Sequence, residues 1–556
     1  MPVGNVTGLS SGIQWDETVK LLMQIEHRPV DMLELRRSTY ESQLTNWSAI
    51  ESKISALQDR AAELDTLKEF LQKSGSSSDS DVLTVTASAD AIAASHDVIV
   101  NQLATSAVHV HQTGWADANS TAVNSSGSNK SFSYDYEGTT ITVTVADSTT
   151  LQGLVNLINR DSNNPGVAAS IVNDGTGGGS DYHLVMTGTD TGAGNDVTII
   201  DTLANPTDIG ALGTEFDEAG WDTTQAAQNA QIRVDGIPDP GWGYSWIESD
   251  SNSVDDVIPG VTLQLKNTSG GNPVQVDISM DNAAIKSSVK GLIAAFNDVV
   301  STINSTTRYD AENETAGPLA GDALARNLKS ELMNLIAQNI PGTDSGDALR
   351  SLGQAGVKLS SGGGMALDET AFDEALVQDA LGVARLFAFD SVSSSTYFTV
   401  RSHGEDTVGG TYNWTVSYDA SGGLDSGGTN TVDGNNGIVH GTQILEGARN
   451  SDVAGLLMSL TNPGDGPNTK SGTVKVYTGL SVLLYNHIAD MVESTDGSFK
   501  LNRDRIGNSV DLLDQQITSW EKRLESIEKG YNSRFSAMET LIGQMKNMGN
   551  YLNSIG

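Results

Sequence analysis

Apolar residues recur in steps of three and four near both ends of the chain. Tyr40, Leu44, Trp47, Ile50, Ile54, Leu57, Ala61, Leu64, Leu67 and Leu71 form the first line. That spacing predicts helix from Asp16 to Lys73, with the stripe of a coiled-coil or bundle seam. Pro29 falls inside the pattern and predicts a break or kink near Arg28, with a short helix before it and a long one after. The second line is Ile506, Val510, Leu513, Ile517, Trp520, Leu524, Ile527, Tyr531, Phe535, Met538, Ile542, Met545 and Leu552. Its longer step around Tyr531 locally relaxes a left-handed supercoil. No proline follows Pro467. A helix over 502–553 would therefore run unbroken for roughly 75 Å.

Between these ends the period changes to two. Short strands are predicted at 82–86, 97–100, 140–145, 168–172, 183–186, 197–200, 231–234, 261–265 and 274–278, separated by Gly, Asn and Asp clusters. Ser74-Gly-Ser-Ser-Ser-Asp-Ser-Asp81 has linker composition. One short helix, Thr150–Arg160, carries Leu151, Leu154, Val155 and Ile158 on one face. Helical spacing returns at 282–306, 321–339 and 368–389. Residues 391–474 revert to Gly, Ser and Thr with strand runs at 397–400 and 412–418, which reads as an inserted β-rich unit. Two long helices that open and close the sequence would pair antiparallel. Two helices cannot hide all of this apolar surface, so the rest must be buried by other subunits or stay poorly ordered until assembly.

Charge narrows the function classes. The chain has 556 residues, 70 acidic against 32 basic, for a net charge of -38. Such a field repels nucleic acid and anionic headgroups, so neither nucleic acid nor membrane is an expected partner. A hydrophobic fraction of 38% is enough for folded cores. Absence of cysteine removes disulfides, thiolate zinc sites and thiol catalysis. The first residues lack a basic n-region and an apolar h-region, and no apolar run reaches transmembrane length.

Candidate chemistry is weak. Gly8-Leu-Ser-Ser-Gly12 matches a nucleophile-elbow pattern but lacks the preceding strand that would expose the serine. Asp174-Gly-Thr-Gly-Gly-Gly-Ser-Asp181 reads as a hairpin connection rather than a calcium loop. Asp310-Ala-Glu-Asn-Glu314 lacks the glycine and the final glutamate of an EF-hand. His109 and His111 share one face of a strand, with a weak surface cation site as the sharper alternative to an ordinary strand. His403 and His440 with nearby acids leave a hydrolase fragment at 391–474 as the remaining enzymatic option. No cofactor fingerprint occurs, and the expectation is no enzyme, no cofactor and no metal. Trp15, Trp47 and Trp520 read as core aromatics, whereas Trp242 and Trp246 lie in a Gly-rich loop suited to an exposed contact.

An ordered set of segments resembles one family. Gly8-Leu-Ser-Ser-Gly-Ile13, Leu21-Leu-Met-Gln-Ile-Glu26 and Pro29 come first, then 81–88 and 98–104. Leu151–Asn159, Gly166–Gly175 and Val257-Ile-Pro-Gly-Val-Thr-Leu263 continue it. Phe296-Asn-Asp-Val299, Gly317–Asp322, Leu367-Asp-Glu369 and Leu386-Phe387 follow, then Tyr531, Phe535, Ser536–Glu539 and Met545. The set resembles the flagellar filament-capping proteins, the hook-associated protein type 2 family. Residues 391–474 exceed that family's usual connection. Flagellin, another flagellar structural protein or a surface adhesin is the rival.

The resemblance implies an α+β multidomain fold. Terminal coiled-coil helices, 1–40 with 525–556, would form a leg. A helical bundle would comprise 41–75, 281–390 and 475–524. Two β-rich head domains would be 76–115 with 201–280, and 116–200, with 391–474 as an inserted β-rich domain. It implies a cap at the extracellular filament tip that promotes flagellin folding and prevents flagellin loss, with adhesion as a further role. Flagellin, further copies in a small ring, hook–filament junction proteins and a flagellar export chaperone would be its partners. Export would use the flagellar type III route without a cleaved signal. The implied filament contacts are the seam residues Tyr40, Leu44, Trp47, Ile54, Leu57, Leu64, Ile517, Trp520, Leu524, Ile527, Tyr531, Phe535, Met538, Ile542, Met545 and Leu552.

Overall fold

The computed structural model describes residues 12, 14–200, 216, 218–243, 245–461 and 468–555. Eight helices are found among them: α1 Trp15–Ala62, α2 Leu67–Phe70, α3 Leu151–Arg160, α4 Asn282–Thr307, α5 Ala323–Ala337, α6 Glu369–Phe387, α7 Leu480–Val492 and α8 Ser498–Ile555. The chain forms two compact units, Leu71–Asp281 and the remainder.

The helical unit holds both long helices. α1 is one helix of 48 residues that passes through Pro29. The expected interruption is absent. Proline costs a helix one hydrogen bond and a clash with the preceding turn. Here the next residue, Val30, is fully buried against Ile517 and Leu524 of α8, and that packing holds the backbone helical. The helix ends at Ala62 rather than Lys73. The Thr66 hydroxyl then accepts from Glu69 N at 3.2 Å and opens the four-residue α2. α8 has 58 residues, roughly 87 Å of helix. The second half of α1 packs against α4, α7 and α8. Asp322 caps α5 by accepting from Ala325 N at 3.2 Å, and Asp368 caps α6. α6 breaks locally at Asp379, whose carboxylate accepts from Gly382 N at 2.8 Å and restarts the turn.

The β-rich insertion belongs to this unit. Its strands start at Phe389, directly after α6, and end at Thr478, directly before α7. A five-stranded sheet (Phe389–Ser393, Thr469–Thr478, Gly410–Ser417, Thr431–Val432, Asn435–Asn436) and a four-stranded sheet (Phe398–Ser402, Leu457–Leu460, Ile444–Glu446, Ile438–His440) share one core around Phe398, Trp414, Val416 and Met458. Lys475 reaches Asp344 at 2.7 Å and Asp347 at 2.8 Å, so ion pairs tie the long strand to the loop after α5.

The second unit contains two cores. One lies between a five-stranded antiparallel sheet (Lys73–Ser77, Val274–Met280, Ala94–Gln102, Ala230–Val234, Ile247–Ser249) and a three-stranded sheet (Ser253–Ile258, Val261–Leu265, Leu83–Ala87). The stretch with linker composition is therefore an edge strand. Gly75 makes it possible, because a Cβ there would strike the Val85 side chain. The other core joins α3 to a four-stranded sheet (Trp221–Gln225, Val108–His111, Tyr182–Gly188, Val167–Asn173) and a three-stranded sheet (Thr139–Val145, Lys130–Tyr136, Val197–Ile199). Thr150 caps α3 as its side chain accepts from Gly153 N.

Candidate functional site

The two long helices run antiparallel, as their cross-contacts show in order. Trp15 stacks on Phe535 with centroids 4.8 Å apart. The Tyr531 hydroxyl donates to Glu26 at 3.2 Å, Arg37 to Asp514 at 3.0 Å, and Arg503 to Glu51 at 2.9 Å. Rising numbers in α1 meet falling numbers in α8. The indole N–H of Trp15 donates to Glu539 at 2.6 Å, and Glu539 is buried. A buried carboxylate at a seam position fixes the register of two helices, because a slip would strand it among apolar side chains.

The sequence-selected seam residues fall into three groups. Trp47, Ile54, Leu57 and Leu64 are buried within the helical unit. Trp47 lies against Phe499 and donates to Asp322 at 3.3 Å. This chain's own helices cover all four, so they offer no exposed area to a filament in this conformation. Ile517 and Leu524 are buried between α1 and α8, with Trp520 half-buried beside them under the Arg523 guanidinium. Tyr40, Leu44, Ile527, Tyr531, Phe535 and Ile542 are half-buried along the same pair. Only Met538, Met545 and Leu552 are exposed, Leu552 by 66%.

Those three belong to an outward stripe that also includes Leu541 and Met548. The steps 538, 541, 545, 548, 552 follow the heptad rule. The line facing α1 instead runs through Tyr531, Phe535 and Glu539. α1 carries a second exposed stripe, Leu21, Ile25, Met32 and Leu35. Its 4-7-3 spacing is a heptad line with Arg28 at the skipped position, and it was hidden by the break expected at Pro29. A groove of about 1350 Å³ runs between the helices, floored by Trp15, Val19, Met23, Leu524 and Phe535. Exposed heptad stripes on a long helix pair accept further helices, not small substrates.

The remaining sequence candidates resolve into structure. The Gly8-Leu-Ser-Ser segment lies outside the described residues. Asp174–Asp181 joins the paired strands Val167–Asn173 and Tyr182–Gly188. Asp310 closes a hairpin by accepting from Glu312 N and Asn313 N. His109 and His111 share a face, but it is the core face. His109 meets Asp196 at 3.1 Å, and His111 is ringed by Trp115, Phe216 and Trp221. No cluster of three metal-ligating side chains occurs among the described residues. His403 stacks on Phe389 at 4.2 Å, and burial pushes its pKa down, while His440 pairs with Glu446 at 2.6 Å. Trp242 is exposed, as its loop suggested. Among the described residues no helix is long and apolar enough to cross a membrane.

Comparison with known proteins bears on this arrangement. The family described as flagellar hook-associated protein 2 C-terminus matches residues 227–547, and its N-terminal counterpart matches 11–107. A flagellin hook IN motif matches 124–190. The A-type flagellar hook-associated protein 2 of Pseudomonas aeruginosa is 29% identical over 405 residues, covering 69% of this chain and 80% of the relative. The flagellar hook-associated protein 2 of Escherichia coli K12 is 25% identical, covering 71% and 82%. The crystal structure of the D1-D2-D3 domains of the Escherichia coli flagellar cap protein FliD is similar with a TM-score of 0.47 at 25% identity, covering 61% of this chain and 89% of that one.

Proposed function

The chain belongs to the flagellar hook-associated protein 2 family and is a cap of the flagellar filament, and we propose that the α1–α8 leg is the part that holds flagellin at the growing tip. One observation carries this. The leg leaves two heptad stripes in water, Leu21 to Leu35 on α1 and Met538 to Leu552 on α8. Apolar stripes of this length are costly to leave exposed and are suited to receiving the helices of another subunit. Flagellin helices would dock there in turn as subunits add, and the cap would retain flagellin until it folds. Binding free energy drives the cycle, without a cofactor.

Several copies would form a small ring at the extracellular tip. Residues 1–40 with 525–556 would be its leg, and 41–75, 281–390 and 475–524 its bundle. The two cores of the second unit would make the head domains, with 391–474 as an added β-rich domain. Export by the flagellar type III route would bring the chain to the tip, with a flagellar export chaperone covering the exposed leg stripes beforehand. Hook–filament junction proteins would be its first footing.

Deleting Tyr531–Gly556 tests the leg assignment. The truncated protein should be soluble, with the second unit folded, yet unable to support filament growth in a strain lacking the wild-type cap. Normal filaments from that strain would remove flagellin binding from the leg.

A further inference from the structure

The exposed stripe on α8 is one side of a helix whose charges are sorted by face. At 3.6 residues per turn, residues 7 or 11 apart share a side. Arg505, Leu512, Arg523, Arg534 and Leu541 follow in steps of 7, 11, 11 and 7, so the arginines extend the line that ends in Met545, Met548 and Leu552. All of these are exposed. Asp511, Asp514, Glu521, Glu525 and Glu528 follow in steps of 3, 7, 4 and 3 and lie half a turn away, where the last three line the groove. On α1, Arg28 sits within the stripe Leu21–Leu35, and Arg36 lies 11 residues past Ile25. Glu17, four residues before Leu21, is the carboxylate beside them. The cations divide in the same way. Arg37 pairs with Asp514, Arg503 with Glu51 and Lys529 with Glu525, so those are spent within the helix pair. Arg28, Arg36, Arg523 and Arg534 pair with no carboxylate among the described residues. Arg523 lies 4.8 Å over the Trp520 ring, a contact that uses no hydrogen bond of its fork.

We propose that this arginine side of the leg is the docking face for an acidic amphipathic helix, one whose apolar seam is flanked by carboxylates. It specifies the partner of the leg proposed above and rests on that reading. The occupant follows from charge. In a chain of net charge -38, four arginines without a carboxylate beside exposed apolar stripes are the exception, and a guanidinium fork takes a carboxylate in a two-point contact. Apolar area would supply the affinity, and the arginines would select the partner and the side on which it docks. The groove side, with Glu521, Glu525 and Glu528, repels the same helix. A second copy fits less well, because Asp514 and Glu525 of its own acidic line are already paired. The chain's overall charge repels an extended anionic surface such as a lipid bilayer far more than it repels one helix.

The test uses the full chain and two fluorescein-labelled amphipathic helical peptides with the same leucine seam, flanked by glutamate in one and by lysine in the other, with binding read by fluorescence anisotropy. Net charge alone favours the lysine peptide. The arginine face should reverse this, holding the glutamate peptide roughly tenfold more tightly, and added salt should erode that preference. Arg523→Glu with Arg534→Glu should invert the preference, whereas Arg523→Lys with Arg534→Lys, which keeps the charge but not the fork, should retain part of it. Asp511→Asn and Glu521→Gln, on the acidic side, should not weaken the glutamate peptide. Arg523 and Arg534 are exposed, so their variants stay folded, and unchanged melting curves verify this. A preference for the lysine peptide, or no binding of either, overturns the acidic partner. So does glutamate-peptide binding that survives the charge reversals undiminished. Phosphatidylglycerol vesicles that bind the wild type and not the double reversal would give the face to lipid. Self-association lost in the double reversal, read by mass photometry, would give it to a second copy, and either result overturns the proposal. The leg reading stands or falls separately in every case, on filament growth by the Tyr531–Gly556 deletion.

Discussion

Trp47 and Met545 lie on apolar lines of the same period, yet their environments predict opposite phenotypes. Trp47 is 1% exposed at the junction of α1 with α5 and α8. A buried tryptophan removes about 150–250 Å² from water, worth roughly 4–6 kcal/mol as an upper bound at about 25 cal/mol per Å². Partial collapse of the cavity leaves about 3–5 kcal/mol lost on Trp47→Ala. Trp47→Phe keeps most of the ring and loses the hydrogen bond to Asp322, for about 1–2 kcal/mol. Asp322 still caps α5 in both variants. Met545 is 63% exposed, so Met545→Ala should stay within about 0.5 kcal/mol of wild type. Urea unfolding followed by the far-ultraviolet helix signal reads the first effect. Filament length in a strain dependent on the variant reads the second. Trp47→Ala should shift the midpoint of the helical unit strongly, and Met545→Ala should shorten filaments with an unchanged midpoint. A wild-type midpoint for Trp47→Ala would refute the packing account and return Trp47 to the candidate contacts. Full-length filaments from Met545→Ala would take that residue out of them.

Three other residues give sharp expectations. Burial, with the hydrogen bond to and repulsion from Glu69, pushes the Asp65 carboxyl up to about 7. Its folded-state value lies above the unfolded one, so its stabilisation is full below about pH 4 and lost as pH rises through about 7. Asp65→Asn should flatten stability over that window and stabilise the protein above it by on the order of 1 kcal/mol, discounted because the group is half-exposed; an unchanged pH profile of unfolding would reject this. Lys475→Met removes the cation from the largely buried Asp347, which keeps only its Tyr477 hydrogen bond and backbone contacts, and should cost about 1–3 kcal/mol, seen as faster proteolysis at the loop after α5. Pro29→Ala restores a backbone donor inside α1 and should raise leg stability by about 1–3 kcal/mol in amide hydrogen exchange; a loss would mean that the proline ring packs in a way alanine cannot replace.

Pro29 also marks the limit of what the sequence disclosed. Period three-to-four located both long helices, and period two located nine of the fifteen strands within residues 71–281, because burial selects residue type at those intervals. What periodicity cannot state is which partner buries a stripe. Trp47 and Met545 look alike in sequence and differ only because the start of α5 and the start of α8 cover one of them. The break expected at Pro29 rested on a local cost of about 3 kcal/mol, which long-range packing of Val30 outweighs. The strand at Lys73–Ser77 was unreadable because its residues are small for a tertiary reason, the approach of Val85 to Gly75. Glu539 carried no composition signal, and the seam was read through the apolar Met538 beside it, which the structure leaves exposed. The His109 and His111 spacing correctly put both on one face, but nothing local said that the face was the core.

Charge placement explains how one chain can be strongly acidic and still assemble. Residues 15–40 and 525–555 carry eight acids and seven bases between them, whereas 71–281 carry 27 acids and five bases. The leg is close to neutral and the second unit is not. A neutral helix pair approaches other helices without the long-range repulsion that the acidic unit would impose. Its exposed stripes then supply a short-range attraction that salt barely screens, because apolar burial depends on area and not on ionic strength below the range of salting-out. The acidic unit does the opposite, staying hydrated and adding long-range repulsion wherever two such units approach. The proposed leg contacts would thus concentrate affinity on the helix pair and leave solubility to the strand-rich unit. Exchanging the two charge patterns would give a protein whose leg repels its partners and whose strand-rich surface associates without register.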